Sequence, residues 1–265
     1  MDFETKDRYG IQDLLKIMEM LRAPGGCPWD REQTHESIRK NMIEETYEVV
    51  EAIDNQDSEL LKEELGDVLL QVVFHSRIEQ EAGRFDFDDV CDGICKKLIV
   101  RHPHVFGDVI ADTSGQVLKN WDEIKKKTKG QKTNTEVLNS VPKVLPALMR
   151  STKVQQKAAR AGFDWPDVSG ALQKVEEETS ELREAVEAGR SAQYEEELGD
   201  VLFSAVNVSR FLNCDAEEAL TKACDKFVRR FEGVEHKVTA QGKDMKELPL
   251  EQLDAFWDEV KQEES

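Results

Sequence analysis

Two sets of acidic residues recur in this chain at one spacing. Glu44-Glu45-x-x-Glu48 is followed by Glu63-Glu64-x-x-Asp67, and Glu177-Glu178-x-x-Glu181 is followed by Glu196-Glu197-x-x-Asp200. Glu45 to Glu64 and Glu178 to Glu197 each span 19 positions, and the two sets lie 133 positions apart. Residues three apart neighbour each other on a helix surface. Glu45 with Glu48, and Glu64 with Asp67, therefore project as pairs, and two such helices packed face to face would converge four carboxylates. At about 6 Å and an effective dielectric near 20, each like-charged pair costs roughly 2–3 kcal/mol. Such a cluster calls for a cation. Carboxylate oxygens alone favour Mg²⁺ or Mn²⁺. Neither set contains a histidine or a Glu-x-x-His, which argues against zinc or di-iron chemistry.

Helices must position these groups. Ile43, Tyr47 and Val50, widened by Met42, Val49 and Ile53, follow the helical period, and so do Leu61, Leu65, Val68, Leu69 and Val72. Asp54-Asn55-Gln56-Asp57-Ser58 between them is a polar turn ending in candidate N-caps. In the second copy Gly189 reads as a helix-ending glycine and Ser191 as the next cap. Gly66 and Gly199 fall inside helices, where glycine costs about 1 kcal/mol relative to alanine. They predict a close helix approach or room for a ligand.

The repeat extends beyond the acids. Cys27-Pro28-Trp29-Asp30 has a counterpart in Phe163-Asp164-Trp165-Pro166-Asp167. Lys97-x-x-x-Arg101 matches Lys226-x-x-x-Arg230, and Trp121-Asp122-Glu123-Ile124-Lys125 matches Trp257-Asp258-Glu259-Val260-Lys261. No alternating strand pattern occurs. The expectation is an all-α protein of two tandem helical-bundle domains arising from duplication, residues 1–128 and 141–265, joined by a polar linker over 129–140.

Composition excludes several classes. A net charge of −19 in 265 residues leaves no broad nucleic-acid-binding surface. No apolar run is long enough for a membrane span, and Met1-Asp2-Phe3-Glu4 lacks the blocks of a signal peptide. Five cysteines without a CxxC pair predict reduced, mostly buried thiols in a cytoplasmic protein, Cys91 and Cys95 being core. Trp29 and Trp165 are expected as core or interface anchors, and His35, His75 and His236 as isolated residues. No glycine-rich phosphate loop or nucleophile elbow is present.

The EExxE and ExxD sets resemble the signature of the MazG family of all-α nucleoside triphosphate pyrophosphohydrolases, and the likeness covers nearly the whole chain. Gly83-Arg84-Phe85-Asp86-Phe87 and Arg101-His102-Pro103-His104-Val105-Phe106 also resemble stretches of that family. The resemblance implies hydrolysis of nucleoside and deoxynucleoside triphosphates between the α and β phosphates, giving a monophosphate and pyrophosphate. It implies Mg²⁺ (or Mn²⁺) on Glu178, Glu181, Glu197 and Asp200, and on Glu45, Glu48, Glu64 and Asp67. Glu177, Glu196, Glu44 and Glu63 would be outer or water-orienting catalytic groups. Lys226 and Arg230 would meet the triphosphate, as would Lys97 and Arg101. Trp257 with Lys261, and Trp121 with Lys125, would close over the nucleotide, and Lys174 would reach the ligand or balance charge. Gln193 and Leu60 stand where the family often has a lysine, which bears on nucleotide affinity. The expected assembly is a homodimer in which neighbouring copies complete the sites, with the second half favoured as catalytic and loose base selectivity serving nucleotide-pool cleansing. The alternatives are a narrow dUTP- or dCTP-type pyrophosphatase, or a helical metal- or nucleotide-sensing module without turnover.

Overall fold

The computed structural model describes residues 3–109, 113, 115–117, 124 and 132–264. Among them there are helices and no strand, so the fold is all-α. The chain divides into two units, residues 1–125 and 126–265. The stretch read as a linker is partly helical. Asn134–Asn139 is capped by Thr133, whose hydroxyl accepts from the Glu136 N–H while the Glu136 carboxylate accepts from Thr133. It packs on the next helix of the second unit.

In the first unit, α1 (Ile11–Arg22) packs on α4 (Ser58–Glu81), and the short α2 (Pro28–Glu32) follows α1. α3 (Arg39–Asp54) and α4 form the first acidic hairpin. Gln56 at φ +54° turns the chain between them, and the Asp57 carboxylate caps α4 by accepting from Glu59 and Leu60. α5 (Phe87–Arg101) and α6 (Pro103–Phe106) follow. The core is Met18, Ile38, Val73 and Phe74, with Leu14, Leu15, Leu70, Ile78 and Phe87 around it. It lies in the second half of α4, beyond the acids.

His35 and His75, expected to be isolated, are joined there. Their rings stack at 5.0 Å, Nδ1 to Nδ1 is 2.7 Å, and His35 Nε2 lies 2.5 Å from Glu79 Oε1. Arg84 also binds Glu79, at 2.6 Å from Nη2, and with His35 holds that carboxyl down to about 2. Burial, together with His35, pushes the His75 pKa down. This polar cluster fastens the segment before α3 to the far end of α4. His35 stands 40 positions from His75 and 44 from Glu79, and no motif links them.

In the second unit the helix Asn134–Asn139 is α7. It is followed by α8 (Ala147–Arg160), α9 (Val168–Glu187), α10 (Tyr194–Phe211), α11 (Ala216–Ala240) and α12 (Leu250–Glu263). α9 and α10 make the second acidic hairpin, α8 packs on α10 and α11, and α11 on α12. Gly189 takes φ +66° just past α9, as expected. Ser191 is not the next cap: it opens a 3₁₀ turn, Ser191–Gln193, and α10 starts without a side-chain cap. Glu195, Glu196 and Glu197 in its first turn complement the helix dipole instead. Val234, Val238 and Val260 form the core between α11 and α12.

Several expected core positions are open within one chain. Ile43, Tyr47, Val50 and Ile53 on α3 and Leu65 and Leu69 on α4 are exposed, because no described element of the first unit covers that side of the hairpin. A Cβ on Gly66 or Gly199 would meet nothing within 4 Å, so neither glycine serves packing among the described residues. Cys95, Cys214 and Cys224 are exposed rather than buried, since α5 and the first half of α11 are covered on few sides. Trp29 and Trp165 are also exposed rather than core. Among the described residues no helix is long and apolar enough to cross a membrane.

Candidate metal centres

Each hairpin brings its acids together. Glu45 and Glu48 of α3 and Glu64 of α4 each offer an oxygen, all within 4.8 Å of one another; Glu178 of α9 and Glu197 and Asp200 of α10 do the same. The fourth acid of each set stands beside its triad. Burial raises the Glu45 pKa, helped by the hydrogen bond its protonated carboxyl donates to Glu48 and by the charge of Asp67; burial, Glu48 and Asp67 raise that of Glu64. The charge of Glu178, then burial and Glu197, raises the Glu181 pKa against the pull of Lys174.

The two centres differ in one cation. Lys174 Nζ lies 2.5 Å from Glu178 Oε1 and 2.8 Å from Glu177 Oε1, and these partners raise its pKa. Its counterpart 133 positions earlier is Asn41. Glu178 itself is buried, and a buried carboxylate needs such a partner. In this form of the chain Lys174 balances charge.

The donor sets fit a hard divalent cation. Oxygens no more than 4.8 Å apart need to close only slightly on an octahedral ion, whose trans ligands sit about 4 Å from each other. Because Glu45, Glu64 and Glu181 have folded pKa values above the ordinary carboxylate value, their contribution to stability is fully present below the unfolded pKa. It is lost as pH rises through the folded value. A cation removes that penalty. Calorimetric melting should therefore show Mg²⁺ raising the Tm at pH 7.5 over an EDTA control, and no shift near pH 4. At about a hundred times Kd the gain is about 2.7 kcal/mol, or roughly 5–10 °C.

The other expected site residues are placed differently. Glu44, Glu63, Glu177 and Glu196 are exposed neighbours of the triads, outside them. Lys226 lines an open groove of about 430 Å³ along α11 with Lys222 and Arg229. Arg230 Nε donates to Glu264 Oε2 at 2.7 Å, and its guanidinium lies 5.9 Å from the Trp257 ring centre. Trp257 packs on the core of α11 and α12 and against Phe227, ring centres 5.1 Å apart. Lys261 pairs with Asp258 at 2.7 Å. The partners of Arg230 and Trp257 thus lie on α11, on α12 and at its end, not on the acidic hairpin. Lys97 and Arg101 lie on α5. Trp121 and Lys125 lie outside the described residues.

Known proteins resemble this chain over the same elements. The family model described as the MazG nucleotide pyrophosphohydrolase domain matches residues 33–106 and again 167–234, each match containing one acidic hairpin. A protein of Thermotoga maritima named nucleoside triphosphate pyrophosphohydrolase/pyrophosphatase MazG is 48% identical over 251 residues, 95% of both chains. The nucleoside triphosphate pyrophosphohydrolase of Escherichia coli K12 is 47% identical over 259 residues, 96% of this chain and 98% of that one. The uncharacterized protein YabN of Bacillus subtilis is 48% identical over 94% of this chain, which spans 51% of its length. The chain is an enzyme of the MazG nucleotide pyrophosphohydrolase family, carrying two such domains in tandem.

Proposed function

We propose that this enzyme hydrolyses nucleoside and deoxynucleoside triphosphates between the α and β phosphates, with Mg²⁺ (or Mn²⁺), giving a nucleoside monophosphate and pyrophosphate. The observation that carries this reading is the convergence of Glu178, Glu197 and Asp200, with Glu181 beside them, and its copy in the first half. The names of the relatives from T. maritima and E. coli support the substrate class. When bound, the cation neutralises phosphate oxygens, acidifies the attacking water and supports the leaving pyrophosphate. The chain's own residues hold it and orient the nucleotide. The outer carboxylates Glu177 and Glu196 receive and position the water proton from the solvent side. Lys174, released from Glu178 as the site fills, becomes free to meet a phosphate.

The same reading makes the second half catalytic, with loose base selectivity suited to cleansing the nucleotide pool, in a reducing compartment that exposed free cysteines tolerate. It makes the working form a homodimer in which a neighbouring copy brings cations such as Lys226 and Arg230 opposite the acids. Product analysis by ³¹P NMR with ATP and dCTP tests the reaction. Monophosphate with pyrophosphate, and no turnover in EDTA, is the expected outcome; diphosphate with orthophosphate overturns it.

A further inference from the structure

Arg229 and Arg230 are neighbours on α11, and a single carboxylate joins them. Arg230 Nε donates to Glu264 Oε2 at 2.7 Å, and Arg229 Nε donates to Glu264 Oε1 at 3.0 Å. Successive residues of a helix point about 100° apart, so these two side chains would ordinarily diverge. A carboxylate whose oxygens take one Nε each draws them together instead. Two positive charges are thereby held side by side, at a cost in mutual repulsion that the one shared anion offsets in part.

The donors left over are those suited to phosphate. The edge formed by the two Nη groups of an arginine matches a phosphate bidentately. Glu264 takes only the Nε–H of each arginine, and among the described residues no Nη atom of either has a hydrogen-bond partner. Arg210 in the same unit shows the alternative: its Nη1 and Nη2 both bind Asp164, so its fork is spent. The inner arginine is also held from a second side. Arg230 and Glu264 side chains are 21% and 28% exposed, and the Arg230 guanidinium lies 5.9 Å from the Trp257 ring centre. Arg230 and then Arg229 hold the Glu264 carboxyl below the ordinary carboxylate range, so the bridge is charged at neutral pH.

The duplication assigns this bridge to one half. In the register that pairs Lys97 and Arg101 with Lys226 and Arg230, Val100 stands at the place of Arg229. In the register that pairs Trp121 with Trp257, Thr128 stands at the place of Glu264. The second arginine and the acid that grips it thus occur together in the half read as the catalyst, and neither has a counterpart in the other.

We infer that Glu264 is a positioning residue for the reaction: gripping Arg229 and Arg230 through Nε, it aims their Nη edges side by side at the phosphates of the nucleotide. This rests on the triphosphate reading above, in which Arg230 meets the phosphates; it adds Arg229 as a second donor and Glu264 as the group that orders both. Side-chain freedom given up before binding is not given up again on binding, so a pre-set pair grips phosphate better than two loose side chains. The negative charge of Glu264 by itself works the other way, since it repels a polyanion. Removing it should therefore strengthen binding if charge alone counts, and weaken binding if position does.

Calorimetric titration of the full chain with Mg²⁺ and either tripolyphosphate or α,β-methylene-ATP reads that sign. Glu264→Ala should weaken both ligands by the same factor, about fivefold, because the effect is on phosphate alone. Glu264→Asp, which keeps both oxygens, should recover part of the loss. Glu263→Ala removes the same charge from the preceding residue and breaks its ion pair with Lys237 (2.6 Å), and should leave both affinities unchanged. Tighter or unaltered binding in Glu264→Ala would overturn the inference, and so would an equal loss in Glu263→Ala, which would make the bridge a fastening of α12 only. Failure of tripolyphosphate and analogue alike to bind the unaltered chain would overturn the triphosphate reading, and this inference with it.

Discussion

Glu197→Gln together with Glu64→Gln is expected to bring pyrophosphate release to background, with the helical fold unchanged. Glutamine keeps the volume and one oxygen of each side chain and removes the charge. In the second centre that leaves Glu178 and Asp200 of the triad, with Glu181 beside them and Lys174 still bound to Glu178. A hard cation held by carboxylates depends on their charge, and the chemistry depends on that cation for several kcal/mol of transition-state stabilisation. A loss of about 4 kcal/mol corresponds to about 10³ in rate. On the proposal that the second half is the catalyst, Glu197→Gln alone should account for nearly all of it and Glu64→Gln alone for little. Glu187→Gln, an exposed acid on the same hairpin, controls for the loss of one negative charge. The assay is initial-rate pyrophosphate release across a Mg²⁺ titration. If the double variant retained full activity, the carboxylate assignment would fall.

The pairing of acids was legible because it depends only on local geometry. A three-residue step on a helix and a 19-position return leave little freedom, so Glu45 with Glu64, and Glu178 with Glu197, meet as their spacing requires. Helix existence was legible for the same reason, while boundaries set by a single cap, such as the start of α10 after Ser191, were not. Burial was the weaker reading. Apolar periodicity shows that a face will be covered, not by what, and on α3 none of the described residues of its unit covers it. The His35, His75 and Glu79 cluster depends on contacts that His35 makes with residues far from it in sequence.

That uncovered face leads to the second large effect. Leu198 and Leu202 are 50% and 51% exposed on α10, and their twins Leu65 and Leu69 are 51% and 39% exposed on α4. Val186 and Ile53 match in the same way, at 55% and 54%. Two copies of a sequence that both leave the same three positions open, on the hairpins that carry the acids, present a face made to be covered. Burying a leucine contributes roughly 1.5–3 kcal/mol, and in a two-fold interface each position counts once per copy. Leu198→Asp with Leu202→Asp replaces that gain by four carboxylates facing one another across the dimer. Sedimentation equilibrium at micromolar concentration should show the mass of the double variant fall to that of one chain. On the proposal that a neighbouring copy brings its cations to the acids, nucleotide turnover should fall with it. A variant that kept both dimer mass and turnover would show that the exposed leucines are not the pairing surface, and the source of the phosphate-binding cations would have to be sought within one chain.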